Sequence, residues 1–356
     1  MTRTNTTPLR TVHLLDDVNL GGVTRGLAVF EIPSLAARME NRVVEVDPAS
    51  PLAPCLDADL ILVHFPPRWR ALPYLAMLRL RNPGARIIQV EHSYTRAWAA
   101  RHVGKPGRFR ALLRLWCEAC DEIVCVSQGQ GRWLQEAAGL ELPPTVIYPW
   151  GGDHGLYAVE PARPRAQGPL RLGAYGRFAE QKGFDLLLEA MHLLAHDHYT
   201  LDLGGFGPDE AMLRERAQGL DNVRFTGKVT DLPAFMADLD VLVIPSRWEA
   251  FGQVGAECKM AGRATLFSDV DGLPEQAPDP AWIVDCSSPE TIALAIAAID
   301  PLEVGAAGAL NRTDMHGARQ ARIDGWSAVL DRGETHRLRL GARPRRVPFR
   351  LAGQPA

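Results

Sequence analysis

The sequence predicts an α/β fold made of two domains, each built on a parallel β-sheet. Short apolar runs rich in β-branched residues alternate with segments whose apolar residues recur at helical spacing. The run Val241–Ile244, closed by Pro245, is typical of a buried parallel strand. The chain has 356 residues, more than one ordinary core accommodates, and the alternation begins again after a Pro- and Gly-rich segment. We therefore expect two sheets rather than one.

The first domain is predicted to span residues 1–167. Its strands are expected at 11–15, 43–46, 60–64, 87–90, 123–126 and 145–148, and its first helix at 21–39. Gly21 and Gly22 open that helix and let the backbone approach an anion, although a tight turn explains them equally well. His64 and His92 follow the third and fourth strands, at the edge where parallel sheets bind ligands. Either side chain could instead simply cap a turn.

The second domain is predicted over residues 168–310. Its strands are expected at 170–175, 201–203, 223–225, 241–244, 265–267 and 282–284. Gly205 and its glycine neighbours predict a flexible turn after the second of these strands. The remaining residues are predicted to form a helix within 311–332 and a basic, flexible tail over 333–356.

Composition argues against two broad classes of protein. The formal net charge of −3 disfavours a protein that binds nucleic acid through a basic surface. No apolar run approaches the length of a membrane span, and the N-terminus lacks the apolar segment and cleavage site of a signal peptide. We therefore expect a cytoplasmic protein.

Several residues could suggest a metal site, but each has a simpler interpretation. Cys117 and Cys120 have the spacing of a zinc pair, yet no second pair completes four ligands, so buried thiols are preferred. Three histidines at 192–198 end a helix, where histidine is expected beside the last carbonyl groups. The Asp-Leu-Asp motif ending at Asp240 enters a buried strand and is interpreted as a turn that sets the register.

The most informative stretch runs from Val241 to Glu275 and predicts a strand, a loop and a helix in that order. The helix is expected to begin near Gly252, where its unpaired amides and its dipole make an anion site. Glu257, inside the helix, can accept hydrogen bonds from a vicinal diol, and Glu249, before it, can reach beyond the phosphate. This arrangement suits a nucleotide diphosphate sugar, although two surface acids at this spacing are also common by chance.

Two cations follow the first strand of the second domain. Arg177 and Lys182 lie five residues apart, in a loop that ends at the start of a helix. Together they can neutralise a diphosphate. An isolated pair of cations in a loop would normally carry no function, and their place after the first strand favours the functional interpretation.

These motifs together resemble the signature of glycosyltransferase family 4. The resemblance is carried by Pro-Ser-x-x-Glu-x-Phe-Gly at 245–252, by Glu257, by Asp-Gly-Leu-Pro-Glu at 271–275, and by the Gly-Arg…Lys-Gly pair at 176–183. It implies a retaining enzyme of the GT-B fold, in which two Rossmann-like parallel-sheet domains face each other across a cleft. It also implies that the last helix returns to the N-terminal domain.

The resemblance implies a role for each candidate residue. Arg177 and Lys182 would stabilise the departing diphosphate. Glu257 would hold the ribose, while Glu249 and His92 would hold and orient the sugar. No cofactor or metal is implied besides the nucleotide sugar donor. The other donor-binding candidates, at the helix mouth, beside the base or facing the cleft, are Phe251, Gly252, Gln253, Val229, Gly205, Gly21 and Gly22.

A basic segment in the first domain suggests a partner. Six Lys or Arg residues and no acid lie between His92 and Cys117, and residues 108–116 have the pattern of an amphipathic basic helix. Such helices dock on anionic membrane surfaces, although a solvated face beside a core is the commoner outcome. Our hypothesis is that this face contacts an anionic lipid-linked acceptor or the inner face of the membrane.

The predicted function is retaining transfer of a hexose from a UDP- or GDP-sugar to a glycan or lipid-linked acceptor, in polysaccharide or glycolipid biosynthesis. Three alternatives stay open: an oxidoreductase, although no Gly-x-Gly-x-x-Gly follows the first strand; an epimerase or phosphorylase on the same scaffold; and a non-catalytic homologue that binds a partner. Ala250, Lys259 and Arg263 depart from the family pattern and leave the donor and the acceptor open.

Overall fold

The computed structural model describes residues 7–18, 21–163 and 167–341. The chain divides into two compact units. The first unit comprises the described residues of Met1–Tyr94, Val103–Gly151 and Gln320–Ala356, and the second comprises those of Thr95–His102 and Gly152–Arg319. The change of unit falls after Gly151, whereas the sequence placed it near residue 168.

The first unit is built on a six-stranded parallel sheet with the strand order β2-β1-β3-β4-β5-β6. The strands are β1 Leu9–Leu15, β2 Met39–Glu45, β3 Leu60–Val63, β4 Arg86–Glu91, β5 Glu122–Cys125 and β6 Thr145–Val146. The helices up to residue 138 are α1 Gly21–Gly26, α2 Pro33–Ala36, α3 Leu72–Arg81, α4 Arg96–His102, α5 Pro106–Ala119 and α6 Gln128–Ala138. Of these, α4 belongs to the second unit.

The second unit repeats the plan with the strand order β12-β11-β10-β7-β8-β9. Its strands are β7 Leu170–Arg177, β8 Tyr199–Phe206, β9 Val223–Gly227, β10 Val241–Ile244, β11 Ala264–Ser268 and β12 Ile283–Val284. The later helices are α7 Phe184–Leu193, α8 Glu210–Arg216, α9 Leu232–Ala237, α10 Gln253–Met260, α11 Pro289–Ala297, α12 Val304–Asp314 and α13 Ala318–Leu340. Single 3₁₀ turns cover Leu27–Glu31, Trp69–Ala71, Leu156–Ala158, Glu180–Lys182, Pro274–Gln276, Pro280–Trp282 and Met315–Gly317. The predicted α/β class with two parallel sheets is confirmed.

The first sheet is covered by apolar clusters on both faces, as is usual for parallel sheets. On one face of the first sheet, Trp326 and Leu330 of α13 pack in a cluster with Leu9 and Leu60. The opposite face packs around Trp116 of α5. Within the described residues, no helix is both long enough and apolar enough to cross a membrane.

The structure corrects several predicted elements. The helix expected over 21–39 is broken, because Ile32 is extended before Pro33, whose ring disfavours helical backbone in the residue before it. The tail expected from residue 333 is wrong at its start, since α13 continues to Leu340; residues 342–356 lie outside the described chain. The turn expected around Gly205 is part of β8.

In each unit, an Arg–Asp pair fixes the position of the strand that comes first in the chain, β1 or β7. Asp240, at the entry to β10, accepts hydrogen bonds from the Arg171 backbone N and Nη2, both at 2.9 Å. Asp59, before β3, accepts from the Arg10 backbone N at 2.9 Å and from its Nη2 at 2.8 Å. Asp240 thus sets strand register, as the sequence analysis interpreted the Asp-Leu-Asp motif.

Asp240→Ala should destabilise the protein by about 2 kcal/mol, because it removes a buried carboxylate that accepts charge-assisted hydrogen bonds from the partly exposed Arg171. Asp240 is 2% exposed, whereas Asp238, two residues earlier, is exposed, so Asp238→Ala should change the stability by less than about 0.5 kcal/mol. Urea unfolding of the three proteins measures both values. Equal losses in the two variants would contradict the assignment of Asp240 to strand register.

Candidate functional site

The candidate site of the second unit lies at the carboxyl ends of two neighbouring strands. β7 and β10 pair in parallel through Leu172 and Val241, so both end at the same edge of the sheet. β7 leads into the turn Glu180–Lys182 and then α7, while β10 leads through a polar loop into α10. Ligands of open parallel sheets bind at such an edge.

An ion pair joins the two loops. Lys182 Nζ donates to the Glu249 carboxylate, and the two side chains are only 17% and 13% exposed. The structure therefore brings together two residues that the sequence predicted separately, 67 positions apart. Because both charges are largely withdrawn from water, each depends on the other as its counter-ion.

Arg247 clamps the same two loops. Its guanidinium donates to both carboxylate oxygens of Asp185, at 2.7 and 2.6 Å, and to the Glu180 carbonyl at 2.8 Å. The Arg247 backbone N donates to the Gln181 carbonyl at 2.8 Å. Burial acts to raise the pKa of Asp185, but the hydrogen bonds from Arg247 outweigh it and hold that pKa below its ordinary value. The clamp sets the distance between the Lys182 turn and the Glu249 loop.

Hydrogen bonds from neighbouring residues fix the loop that leads into α10. Gly252 precedes the helix with φ of 86°, a left-handed backbone that favours glycine. The Gln276 amide donates to the carbonyls of Phe251 and Gly252, the latter at 3.1 Å. Asp271 accepts from the Glu249 backbone N at 3.1 Å. The carbonyls just before α10 are thus turned back towards Gln276.

Glu257 lies in α10 and is only 3% exposed. Its carboxylate accepts a hydrogen bond from the Tyr175 hydroxyl, which comes from β7. The ring of Tyr175 packs edge-on against Phe235, with centroids 5.5 Å apart. Tyr175 therefore fixes the orientation of the carboxylate that the sequence assigned to a diol.

One pocket connects these groups. It is lined by Tyr175, Lys182, Ser246, Glu249 and Gly252, together with apolar residues of β10 and α10. The Ser246 hydroxyl is buried and makes no hydrogen bond within the described part of the chain. The pocket thus offers a cation, a carboxylate, a helix start and an unpaired hydroxyl at one place.

The other candidates of the second unit lie around this centre rather than in the pocket lining. Arg177 is exposed at the end of β7 and makes no ion pair with any described residue. Gly205 lies in β8, where a Cβ atom would come within 1.9 Å of the Gly176 carbonyl oxygen, so close strand packing explains this glycine. Val229 packs beside Gly204, just after β9. Gln253 opens α10, and Phe251 is buried beside it.

Three candidates belong to the first unit. Gly21 and Gly22 begin α1. His92 follows β4, and its Nε2 lies 3.1 Å from His64 Nδ1. His64 Nε2 lies 3.0 Å from Nδ1 of His13 on β1, so three imidazoles form one hydrogen-bonded row. His64 therefore supports His92 within the row.

The surroundings of the row keep its three imidazoles neutral at neutral pH. Burial lowers the pKa of both His13 and His92 to about 4, and burial together with the neighbouring histidines lowers that of His64. Arg322 of α13 adds a positive charge that also disfavours protonation of His64 and His92. Beside the row, burial raises the pKa of Glu91 to about 7, although its carboxylate accepts backbone hydrogen bonds from Ser93 and Tyr94.

The structure gives no support to the metal interpretations of the sequence. Across the described residues, no group of three or more His, Cys, Asp and Glu side chains is arranged to hold a metal ion. All six cysteines are free thiols. Burial raises the pKa of Cys117 to about 12, which keeps it protonated.

Four supporting residues were missed by the sequence analysis. Tyr175, Arg247, Asp271 and Gln276 each fix a candidate side chain or loop through a contact distant in sequence. Asp271 alone carried a signal, because it lies in the Asp-Gly-Leu-Pro-Glu segment. The others are ordinary residues whose partners only the fold identifies.

Two family descriptions match the two halves of the chain. Residues 32–150 match "Glycosyltransferase Family 4", and residues 169–299 match "Glycosyl transferases group 1". The two matches fall on different sheets and together include Arg177, Lys182, Glu249, Glu257 and His92.

Several curated relatives are named as glycosyltransferases. Phosphatidyl-myo-inositol mannosyltransferase of Mycobacterium leprae is 32% identical over 228 residues, which cover 61% of this chain and 57% of the relative. The lipopolysaccharide core biosynthesis glycosyltransferase LpsD of Rhizobium meliloti is 30% identical over 202 residues, covering 50% and 56%. The chain spans 57% or less of the length of each of the first curated relatives that it matches.

Solved structures share the fold. Anabaena Alr3699/HepE in complex with UDP-glucose superimposes with a TM-score of 0.69 at 16% identity, over 91% of this chain and all of that chain. Sucrose-phosphate synthase from Thermosynechococcus elongatus gives a TM-score of 0.64 at 19% identity, over 94% of this chain and all of that chain. The predicted GT-B fold class is confirmed by these neighbours.

The buried histidine row should make stability depend on pH. His13 is 1% exposed, and its pKa of about 4 lies below the usual 6.5, so below pH 6.5 the unfolded chain binds a proton that the folded chain does not. The stability contributed by neutral His13 is therefore lost as the pH falls from 6.5 towards 4, by about 2 kcal/mol between pH 7 and pH 5.

Urea unfolding at both pH values measures this loss. The loss should be smaller in His13→Gln by that amount, whereas His196→Gln, at an exposed histidine, should behave like the unmodified protein. Glu91 titrates in all three proteins, so its opposite contribution cancels in the comparison. An equal loss in His13→Gln would show that His13 is charged in the folded state.

Proposed function

Since the chain belongs to glycosyltransferase family 4, we propose that it transfers a hexose from a nucleotide diphosphate sugar to a glycan or lipid-linked acceptor, with retention at the anomeric carbon. The observation that carries this proposal is the single pocket lined by Lys182, Glu249 and Gly252. A cation, a carboxylate and a helix start beside one another suit a ligand in which a diphosphate is joined to a polyol.

Donor binding would exchange the partners of this pocket. In the structure, Lys182 is paired with Glu249. A diphosphate at the start of α10 offers Lys182 a more highly charged partner, which frees Glu249 to accept hydrogen bonds from hydroxyls of the sugar. Arg177, exposed at the end of β7, supplies the second cation.

The same cations would stabilise the transition state. Negative charge grows on the departing diphosphate as the glycosidic bond breaks, and Lys182, Arg177 and the dipole of α10 would offset that charge. We propose that these groups do this without a bound metal. The acceptor hydroxyl would attack from the face of the leaving group, and a departing phosphate oxygen would take its proton.

The remaining contacts would select the donor. Glu257, oriented by Tyr175, would accept hydrogen bonds from the ribose hydroxyls. The backbone around Val229 would contact the base, and Phe251 and Gln253 flank the phosphate at the mouth of α10. From the first unit, His92 would hold a hydroxyl of the sugar, and Gly21 and Gly22 would border the acceptor.

The relatives guide the choice of substrates. Alr3699/HepE binds UDP and UDP-glucose, and two curated relatives are named for phosphatidyl-myo-inositol mannose transfer and for lipopolysaccharide core biosynthesis. We therefore favour a UDP- or GDP-hexose as the donor and a lipid-linked glycan as the acceptor, within glycolipid or polysaccharide assembly.

A basic face on α5 would bring the protein to such an acceptor. Leu112, Leu113 and Trp116 of this helix are buried in the first unit, so they do not contact lipid. Arg108 and Arg110, near the start of the helix, are exposed. We propose that this face attracts the anionic inner surface of the membrane electrostatically, and that transfer takes place on the cytoplasmic side.

Lys182→Ala and Glu249→Ala should each lower the turnover of a nucleotide sugar by about 10²-fold, because each removes a preorganised charge at the reacting phosphate or sugar. A panel of UDP, GDP, ADP and their glucose or mannose conjugates identifies the donor through the rise in melting temperature. Turnover of that donor is then measured as release of the nucleotide.

Glu180→Gln is the matched control, since this exposed acid lies on the same turn as Lys182 and does not line the pocket. Its turnover should match the unmodified protein. Stabilisation by a nucleotide without any turnover would favour a non-catalytic homologue. Near-normal turnover in Lys182→Ala would remove the proposed site.

Arg108→Glu with Arg110→Glu should abolish sedimentation with vesicles of phosphatidylglycerol and phosphatidylcholine at low salt, because the basic face becomes acidic. Arg42→Glu with Arg132→Glu changes the charge equally at exposed sites of the same unit and should leave sedimentation intact. If the unmodified protein fails to sediment with these vesicles, the membrane proposal is wrong.

A further inference from the structure

Four side chains form a continuous hydrogen-bonded line across the first sheet. Asn41 lies on β2, His13 on β1, His64 directly after β3 and His92 directly after β4. The sheet order β2-β1-β3-β4 makes these strands consecutive neighbours. The successive separations are 3.2 Å from Asn41 Oδ1 to His13 Nε2, then 3.0 Å and 3.1 Å between imidazole nitrogens.

The donor and acceptor groups in the line determine the direction of each hydrogen bond. The Asn41 carbonyl oxygen only accepts, so His13 carries its proton on Nε2. A neutral imidazole has one N–H, and His13 Nδ1 therefore accepts from His64 Nε2. By the same step His64 Nδ1 accepts from His92 Nε2. The last nitrogen, His92 Nδ1, is left as an acceptor.

The surroundings keep the line neutral. His13 and His64 are 1% and 6% exposed. The nearest cation, Arg322, donates to the carbonyls of Tyr148 at 2.8 Å and Gly26 at 3.1 Å, and it makes no ion pair with any described carboxylate. A buried cation without a counter-ion opposes a second positive charge beside it. Glu91 is the residue directly before His92 and is the acid nearest to the three histidines in the sequence.

The rings do not converge on a point that could bind an ion. Neighbouring ring centroids are 5.3 and 5.4 Å apart, with interplanar angles of 24° and 17°. Each inner nitrogen is occupied by the next ring. Each ring therefore sets the orientation of the next, and the half-buried His92 ends the line.

We propose that Asn41, His13 and His64 are positioning residues that hold His92 in its Nε2–H tautomer, so that Nδ1 accepts a hydrogen bond from a hydroxyl of the donor sugar. The contact with sugar depends on the proposed function, whereas the tautomer does not. A fixed acceptor discriminates strongly, because a sugar that lacks the matching hydroxyl leaves a polar atom unpaired.

The tautomer is measured by long-range ¹H–¹⁵N correlation spectra of the full chain with ¹⁵N-labelled histidine at pH 7, without ligand. Single His→Gln variants assign the signals of the three rings. All three should be neutral with the proton on Nε2. Protonation of His92 on Nδ1, or a charged ring in the row, would overturn the proposal whatever the protein catalyses.

Asn41→Leu tests the anchor, since Asn41 is exposed and its replacement leaves the core intact. Without the acceptor, His13 can protonate either nitrogen, so the His92 spectrum should show a mixture of tautomers. Glu40→Gln, at the neighbouring exposed position of β2, should leave it unchanged. An unchanged His92 spectrum in Asn41→Leu would overturn the directing role of Asn41.

The functional arm uses the donor that stabilises the protein most in the nucleotide-sugar panel. Asn41→Leu should lower kcat/KM for this donor about fivefold, with unchanged affinity for the free nucleotide and unchanged melting temperature. Glu40→Gln should not change kcat/KM. A changed tautomer with unchanged kcat/KM would show that His92 Nδ1 does not meet the sugar, while absence of any turnover would contradict the proposed function instead.

Discussion

The ion pair between Lys182 and Glu249 depends on two strands being held in one register. β7 and β10 are neighbours, and at their amino ends Asp240 bonds both the backbone and the guanidinium of Arg171. A shift by one residue would turn the apolar side chains of β10 to the opposite face. The register at one end of the strands therefore determines which side chains meet at the other.

The site also shows how charged side chains in a pocket can be paired within the protein itself. An uncompensated buried charge costs several kcal/mol, and a protein that kept a bare lysine and a bare glutamate there would be destabilised. Pairing Lys182 with Glu249, and Tyr175 with Glu257, satisfies each group inside the protein. The proposed function requires a ligand with both anionic and hydroxyl groups to take over from these internal partners.

The sequence predicted those parts of the molecule that local patterns determine. Most strands were close to their observed positions, although β2 and β8 are longer than predicted, and the start of α10 at Gly252 followed from apolar spacing and the glycine. The break at Pro33 was overlooked because apolar periodicity continues across it. Arg247 and Gln276 could not be predicted as supports, since their partners lie 62 and 25 residues away and only the fold brings them close. Gly205 shows the reverse error: a glycine that suggested a flexible turn is required by the closeness of β7.

The contacts of His64 and His92 could not be predicted from the sequence, because their partners are distant in the chain. His64 and His92 follow similar strands and offered the sequence equal geometry, yet one is 6% exposed between two other rings while the other ends the row. Asn41 carried no signal at all, being an exposed polar residue on an edge strand. Its effect on His92 passes through two neutral rings, and neutrality is the condition: a proton added to any ring makes both of its nitrogens donors and reverses the hydrogen bonds beyond it. Burial and the positive charge of Arg322 keep the rings neutral, and neutrality preserves the direction of the hydrogen bonds from His92 to Asn41.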